Sequence, residues 1–170
     1  MKKNINIAVV GLGQIGIFLL NELKNKKKDI ELKTGNKINV VAVSAKNINK
    51  KRRFKVDKKK FFRDPLKIFH SKKVDIMFEA IGLSDGISKK VVETALKNKI
   101  HVITANKALI SKHGDYLAKL AEDNHVNLEF EAAVAGGIPI LKTIKEGLAT
   151  NKISKVYGIL NGTSNYILSE

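Results

Sequence analysis

Three glycines in six residues, Gly11-Leu12-Gly13-Gln14-Ile15-Gly16, follow directly on a β-branched apolar run at 5–10. Behind them Ile17, Leu19, Leu20 and Leu23 recur at helical spacing until the lysines at 26–28. Alone, G-x-G-x-x-G is a weak signal, because glycines also mark ordinary turns. Between a buried strand and an amphipathic helix it constrains the whole fold. The first glycine permits the tight turn, the second lets backbone approach a pyrophosphate, and the third lets helix pack closely on strand. The helix N-terminus then offers free N–H groups to the phosphates.

The rest of the chain alternates in the same way. Strand-like runs fall at 40–43, 74–80, 100–104, 126–130 and 153–160. Helical patterns lie between them: one opening at Asp64-Pro65 with Asp as cap, one over 87–96, one including 116–121 and one over 139–148. Strand and helix in alternation predict βαβ units and an α/β fold. The expected architecture is a doubly wound, mostly parallel sheet of the Rossmann type, covered on both faces. A chain of 170 residues suits one such domain. In its last residues the sequence predicts a helix start, with Thr163 or Ser164 as cap and Tyr166, Ile167 and Leu168 in the first turn, and the chain stops before such a helix could bury a face. This reads as a truncated start of something further.

Composition narrows the chemistry. There is no cysteine, which excludes a disulfide scaffold, a thiolate zinc site and a cysteine nucleophile, and fits a reducing, cytoplasmic compartment. No apolar run approaches the roughly 20 residues of a membrane span. The opening MKKNINIAVV is similar to the front of a signal peptide but breaks at once into the glycines, so it reads as a strand. The net charge is +16, which raises nucleic acid as a partner. Aromatics are only 6% and Trp is absent, so the stacking platform of a nucleic-acid binder is missing and that partner is disfavoured. Much of the charge is Lys beside abundant Ile and Asn, which share A/T-rich codons, and its densest stretch is 46–60. That stretch reads as a surface loop with a second possible role. The second strand ends in Val43-Ser44-Ala45-Lys46-Asn47, with no carboxylate for the ribose hydroxyls of NAD. Lys46, Lys50, Lys51, Arg52 and Arg53 follow instead, and cations suit a 2′-phosphate. NADP(H) is therefore favoured over NAD(H), with Lys46 and Arg52 as candidate contacts.

Several segments in order carry a resemblance: GLGQIG at 11–16, EAIG at 79–82, HVITANKAL at 101–109, FEAAVAGGIPI at 130–140 and GILNGTSNYIL at 158–168. Through them the chain resembles the N-terminal part of homoserine dehydrogenases, which interconvert aspartate semialdehyde and homoserine with NAD(P)(H). The resemblance implies a cofactor domain over 1–135 and, over 136–170, the truncated start of an α+β catalytic and dimerisation domain. It implies that Gly11, Leu12, Gly13, Gln14, Ile15 and Gly16 hold the cofactor, and that Ala80, Ile81 and Gly82 pass under the nicotinamide or its ribose. It implies that Lys107 is the catalytic lysine beside nicotinamide and substrate, and that Asn161, Gly162 and Thr163 touch substrate. By the same resemblance the carbonyls of Glu131, Val134, Gly136 and Ile138 bind a monovalent cation, Na+, and the full-length family forms homodimers. The chain departs from the family at Leu83, where a second glycine is usual, and it stops before the family's substrate carboxylates and second catalytic lysine. A truncated NADP(H)-binding module without activity is the alternative reading. His101 and His113, the latter placed in a loop before Gly114, receive no role.

Overall fold

A computed structural model describes residues 3–52, 54–134, 136 and 138–158. The N-terminal apolar run becomes β1 (Asn4–Val10), and it lies inside the sheet because both of its faces are apolar. The other strands are β2 (Lys37–Ser44), β3 (Phe61–Phe62), β4 (Ile76–Glu79), β5 (His101–Thr104) and β6 (Leu128–Glu129). Their order is β3-β2-β1-β4-β5-β6, and every pairing is parallel. The chain works outward from β1 on one side, then crosses to β4 and works outward on the other. This reversal opens a crevice at the carboxyl ends of β1 and β4, where ligands bind in such sheets.

Helices α1 (Gln14–Asn25), α3 (Lys67–Ser71), α4 (Ile87–Lys97) and α5 (Lys107–Asp123) supply crossovers. The larger core lies under α4 and α5. There Val91, Val92, Ala95 and Leu96 of α4 and Leu109 and Leu117 of α5 meet Ala8, Val10, Met77 and Val102 of the sheet, all buried. Each fully buried Val or Leu contributes about 1.5–3 kcal/mol relative to an exposed one. The opposite face carries Ile7, Val9 and Val43 beneath Leu20 of α1. Helices on both faces make the sheet doubly wound. Among the described residues no helix is long and apolar enough to cross a membrane.

The structure differs from the sequence reading at four places. A further helix, α2 (Lys27–Thr34), follows α1 and buries no residue, so it has no apolar stripe to announce it. Glu31 holds it instead, facing Lys27 at 3.7 Å and accepting the Ile38 N–H at 3.1 Å. Helix α5 starts at Lys107 and runs through His113 and Gly114, which the sequence had placed in a loop. Asn106 caps it, and a glycine is tolerated inside a helix whose two ends are packed. The lysine-rich stretch at 46–60 is more than a solvated loop. Phe54 and Val56 pack on the α1 face, and Lys58–Lys60 forms a single turn leading into edge strand β3. These segments enclose a cavity of about 240 Å³ with Leu20, Leu23, Val40 and Val43, away from the glycine turn. Finally, the strand expected at 153–160 does not form over its described part, 153–158. Ile153, Val156 and Tyr157 are exposed, and among the described residues no strand lies beside them to complete a ladder. Near residue 140 the chain forms α6 (Glu131–Val134), α7 (Ile140–Lys142) and a wide turn at Thr143–Gly147, close to the expected helix.

Candidate active site

The glycine turn joins β1 to α1 at the crevice. Gly11 has φ +99°, and a Cβ there would stand 2.4 Å from the Ala80 carbonyl oxygen. Its N–H donates to the Ser44 carbonyl at 2.9 Å. One residue therefore touches the ends of β2 and β4 together. A Cβ on Gly16 would stand 1.9 Å from the Gly11 oxygen, which is the close approach of helix to turn that the third glycine permits. Gly13 differs: its φ is −79° and, among the described residues, a Cβ would meet nothing within 4 Å. Packing does not demand a glycine there. It keeps clear the space in front of α1, where Gln14 and Ile15 are exposed. No side chain caps α1, and no acid stands in its first turn. The leading N–H groups are open toward that space, a place suited to a phosphate.

On the β2 side, Ser44 is buried and Lys46 exposed. The Arg52 guanidinium folds back against the glycine turn. It donates to the carbonyls of Leu12 at 3.3 Å, Asn47 at 2.7 Å, Ile48 at 3.3 Å and Lys50 at 3.0 Å. It thus pins the loop after β2 to the loop after β1. On the β4 side, Ala80 and Ile81 are half-buried and Gly82 is exposed with φ +89°. Lys107 is the first residue of α5, exposed, and has no ion pair among the described residues.

Three buried polar side chains beside the crevice escaped the sequence reading: Glu79, Thr104 and Asn106. Glu79 Oε1 accepts the Ile81 N–H at 2.8 Å and the Asn106 amide at 3.3 Å, and Oε2 accepts the Thr104 hydroxyl at 2.6 Å. Asn106 also donates to the Leu83 carbonyl at 2.8 Å, and its Oδ1 accepts the Leu109 N–H at 3.1 Å as the cap of α5. Leu83, the departure noted above, thus serves through its main chain. The signal was present as a carboxylate at the end of the apolar run VDIMFEA. Glu131 was read for its carbonyl, yet its carboxylate accepts the N–H groups of Leu141 at 2.9 Å and Lys142 at 3.0 Å. Val134 lies in the same helical turn, Gly136 has φ +64°, and the Ile138 carbonyl accepts the Ile140 N–H at 2.9 Å. Asn161, Gly162 and Thr163 lie outside the described residues.

A family model described as the homoserine dehydrogenase NAD-binding domain matches residues 11–131. A second, described as homoserine dehydrogenase, matches 139–170. The chain belongs to the homoserine dehydrogenase family. Its relatives of that name include one from Neisseria gonorrhoeae, 40% identical over 99% of this chain, and one from Bacillus subtilis, 34% identical over 99%. Among solved structures, the homoserine dehydrogenase of Thiobacillus denitrificans is similar with a TM-score of 0.85 and 37% identity over 99% of this chain. The chain spans 38% of the Neisseria relative, 39% of the Bacillus one and 38% of that structure. The glycine turn, the EAIG loop and the Lys107 turn thus lie in the part that the family describes as NAD-binding.

Beside the crevice, the loop after β4 is fastened to α5 a second time. Asp85 accepts from Lys112 at 2.7 Å and Ser84 at 2.7 Å and pairs with His113 Nε2 at 2.9 Å. These bonds, Lys112 first and then His113 and Ser84, hold the Asp85 carboxyl well below the usual carboxylate range. A lowered folded-state value stabilises the fold above the ordinary aspartate value, and that contribution fades as pH falls below it. The group is exposed, so solvent screens the effect. Asp85→Asn is expected to narrow the gap in melting temperature between neutral pH and about pH 3. An unchanged gap would show that the contacts carry no linkage.

Proposed function

We propose that this chain forms the cofactor half of a homoserine dehydrogenase site, for NAD(P)H-dependent interconversion of aspartate semialdehyde and homoserine. The reaction would be a cytoplasmic step toward threonine, methionine and isoleucine. In this reading residues 1–135 are the cofactor unit and 136–170 open the catalytic and dimerisation unit, in keeping with family matches at 11–131 and 139–170. The observation that carries it is the placement of Lys107 at the head of α5, across the crevice from Ser44, with the open glycine turn between them.

The order of these residues along the sheet edge supports one direction for the cofactor. Ser44 and Lys46 would hold its adenosine ribose, Gly13 and the α1 N-terminus its pyrophosphate, and Ala80, Ile81 and Gly82 its nicotinamide, beside Lys107. When bound, the cofactor supplies or takes up the hydride. The chain's own residues do the rest. The N–H groups of α1 hold the phosphates, and Gly11 and Gly16 let the turn close around them. The Lys107 ammonium faces the carbonyl oxygen of the semialdehyde, stabilises the alkoxide as hydride arrives and gives it a proton. In the reverse direction it takes that proton back.

The exposed Lys46 ammonium favours a 2′-phosphate, helped by the charge of Arg52, whose guanidinium is otherwise taken up by main-chain carbonyls, so NADPH is expected to bind about tenfold tighter than NADH. Lys46→Glu is expected to erase that preference. Fluorescence titration of both nucleotides into the purified chain, with a semialdehyde reduction assay in the same samples, tests the reading. A chain that binds neither nucleotide would refute it. The carbonyls of Glu131, Val134, Gly136 and Ile138 are hard oxygen donors suited to Na+, with one lone pair at Ile138 already used. A second reading, a nucleotide-binding module without turnover, rests on the chain spanning only 38% of its relative. Binding without turnover would favour it.

A further inference from the structure

The reaction scheme leaves unused Glu79, among the described residues the one fully buried carboxylate. Its contacts are all with donors. Thr104 Oγ1 accepts the Asn106 N–H at 3.0 Å, so the hydroxyl proton is left to point at Glu79 Oε2. The Ile81 N–H and the Asn106 amide serve Oε1. Burying a carboxylate two residues beyond the Met77–Val102 pair of β4 and β5 is costly compared with an apolar residue of similar size. What it gains is a clamp. One side of it holds the loop at 80–83, directly through Ile81 and through Asn106 to the Leu83 carbonyl. The other side holds the cap of α5, and with it Lys107. These two stretches are not adjacent in sequence, and Glu79 with its two partners joins them within a few ångströms.

We propose that Glu79 is a positioning residue for the nicotinamide end of the cofactor, fixing residues 80–83 and Lys107 relative to one another through Thr104 and Asn106. The inference rests on the reading that the chain binds a nicotinamide dinucleotide. It separates two halves of that ligand: the adenosine and pyrophosphate contacts lie at the glycine turn and the end of β2, and the Glu79 side chain hydrogen-bonds to Ile81, Thr104 and Asn106 instead.

The test uses the full 170-residue chain, with Glu79→Gln and Thr104→Val. Glu79→Gln replaces one of two acceptor oxygens with a donor, so either the Thr104 hydroxyl or the Ile81 and Asn106 N–H groups lose their acceptor. Thr104→Val keeps the shape and removes the hydroxyl, so it carries the test if the Gln variant fails to fold. Each is titrated with NADPH and, by competition, with 2′-phospho-ADP-ribose, which lacks the nicotinamide. NADH and ADP-ribose replace them if the wild-type chain prefers NADH. Affinity for the dinucleotide is expected to fall about tenfold or more. Affinity for the nicotinamide-free nucleotide is expected to stay within about twofold, because neither the Glu79 nor the Thr104 side chain bonds to the glycine turn or the end of β2. Equal loss for both nucleotides would mean a general loosening of the fold and would overturn the proposal, as would no loss for either. A wild-type chain that binds neither nucleotide would fail the cofactor reading itself.

Discussion

Lys107→Ala is expected to cut turnover by about 10²–10⁴-fold while leaving nucleotide affinity within a few-fold, the usual scale for removing a general acid. The separation follows from where the side chain stands. Lys107 is exposed, unpaired with any acid among the described residues, and packed into no core. Its substitution therefore removes little binding area. A cation in the first turn of a helix also opposes the helix dipole. Stability alone would favour an acid or alanine there, and Lys107→Ala is expected to raise stability by about 0.3–1 kcal/mol. A residue that gains stability and loses turnover on the same substitution is placed for chemistry. Lys107→Arg refines the test. Its charge still stabilises an alkoxide, but a guanidinium does not give up its proton near neutral pH. Its turnover should fall between those of wild type and Lys107→Ala. Turnover is measured on the chain alone and on the chain joined to the remaining segment of a relative, and nucleotide affinity on the chain alone. Turnover within tenfold of wild type in Lys107→Ala would remove the proton-donor role.

How far this site could be read without coordinates depended on the kind of signal each residue leaves. The glycine turn and the parallel sheet were legible because periodicity and glycine spacing are local. The sequence placed α4 to within a residue, since its apolar stripe is complete and Lys97 ends it. Helix α2 was hidden because it buries nothing, and α5 was shortened because Gly114 reads as a break when its cap, Asn106, is not weighed. Strand β3 escaped because two residues carry no alternation. The strand expected at 153–160 rested on β-branched and aromatic residues, Ile153, Val156, Tyr157 and Ile159, but a strand exists only beside another, and none of the described strands reaches its described part. Glu79 was the harder failure. A lone acid ending an apolar run reads as the solvated end of a strand, and only the fold brings Thr104 and Asn106 to it, 25 and 27 residues away.

The glycines of the turn should separate into two classes when each is replaced by alanine. Gly11→Ala meets two obstacles, a φ of +99° and the Ala80 carbonyl 2.4 Å from the new Cβ. Both are backbone features, so neither can rotate away, and the expected loss of stability is about 2–5 kcal/mol. Gly16→Ala drives a methyl to 1.9 Å from the Gly11 oxygen. It forces α1 off β1, with an expected loss of about 1–3 kcal/mol or more. Gly13→Ala has an ordinary φ and empty space around its Cβ. Its stability should change by under about 1 kcal/mol, the cost of alanine at a helix cap. Its nucleotide affinity should nevertheless fall by at least about tenfold, because the methyl stands where the backbone must approach the pyrophosphate. Melting temperature and NADPH titration on the three variants read the two effects separately. If Gly13→Ala melts early, the space before α1 is occupied by protein and not kept for a ligand. If it melts normally and binds normally, the phosphates do not sit at the α1 N-terminus, and the direction assigned to the cofactor fails with them. Retained stability with lost binding, at the one glycine of the three that packing does not require, would tie the motif to its ligand independently of any resemblance.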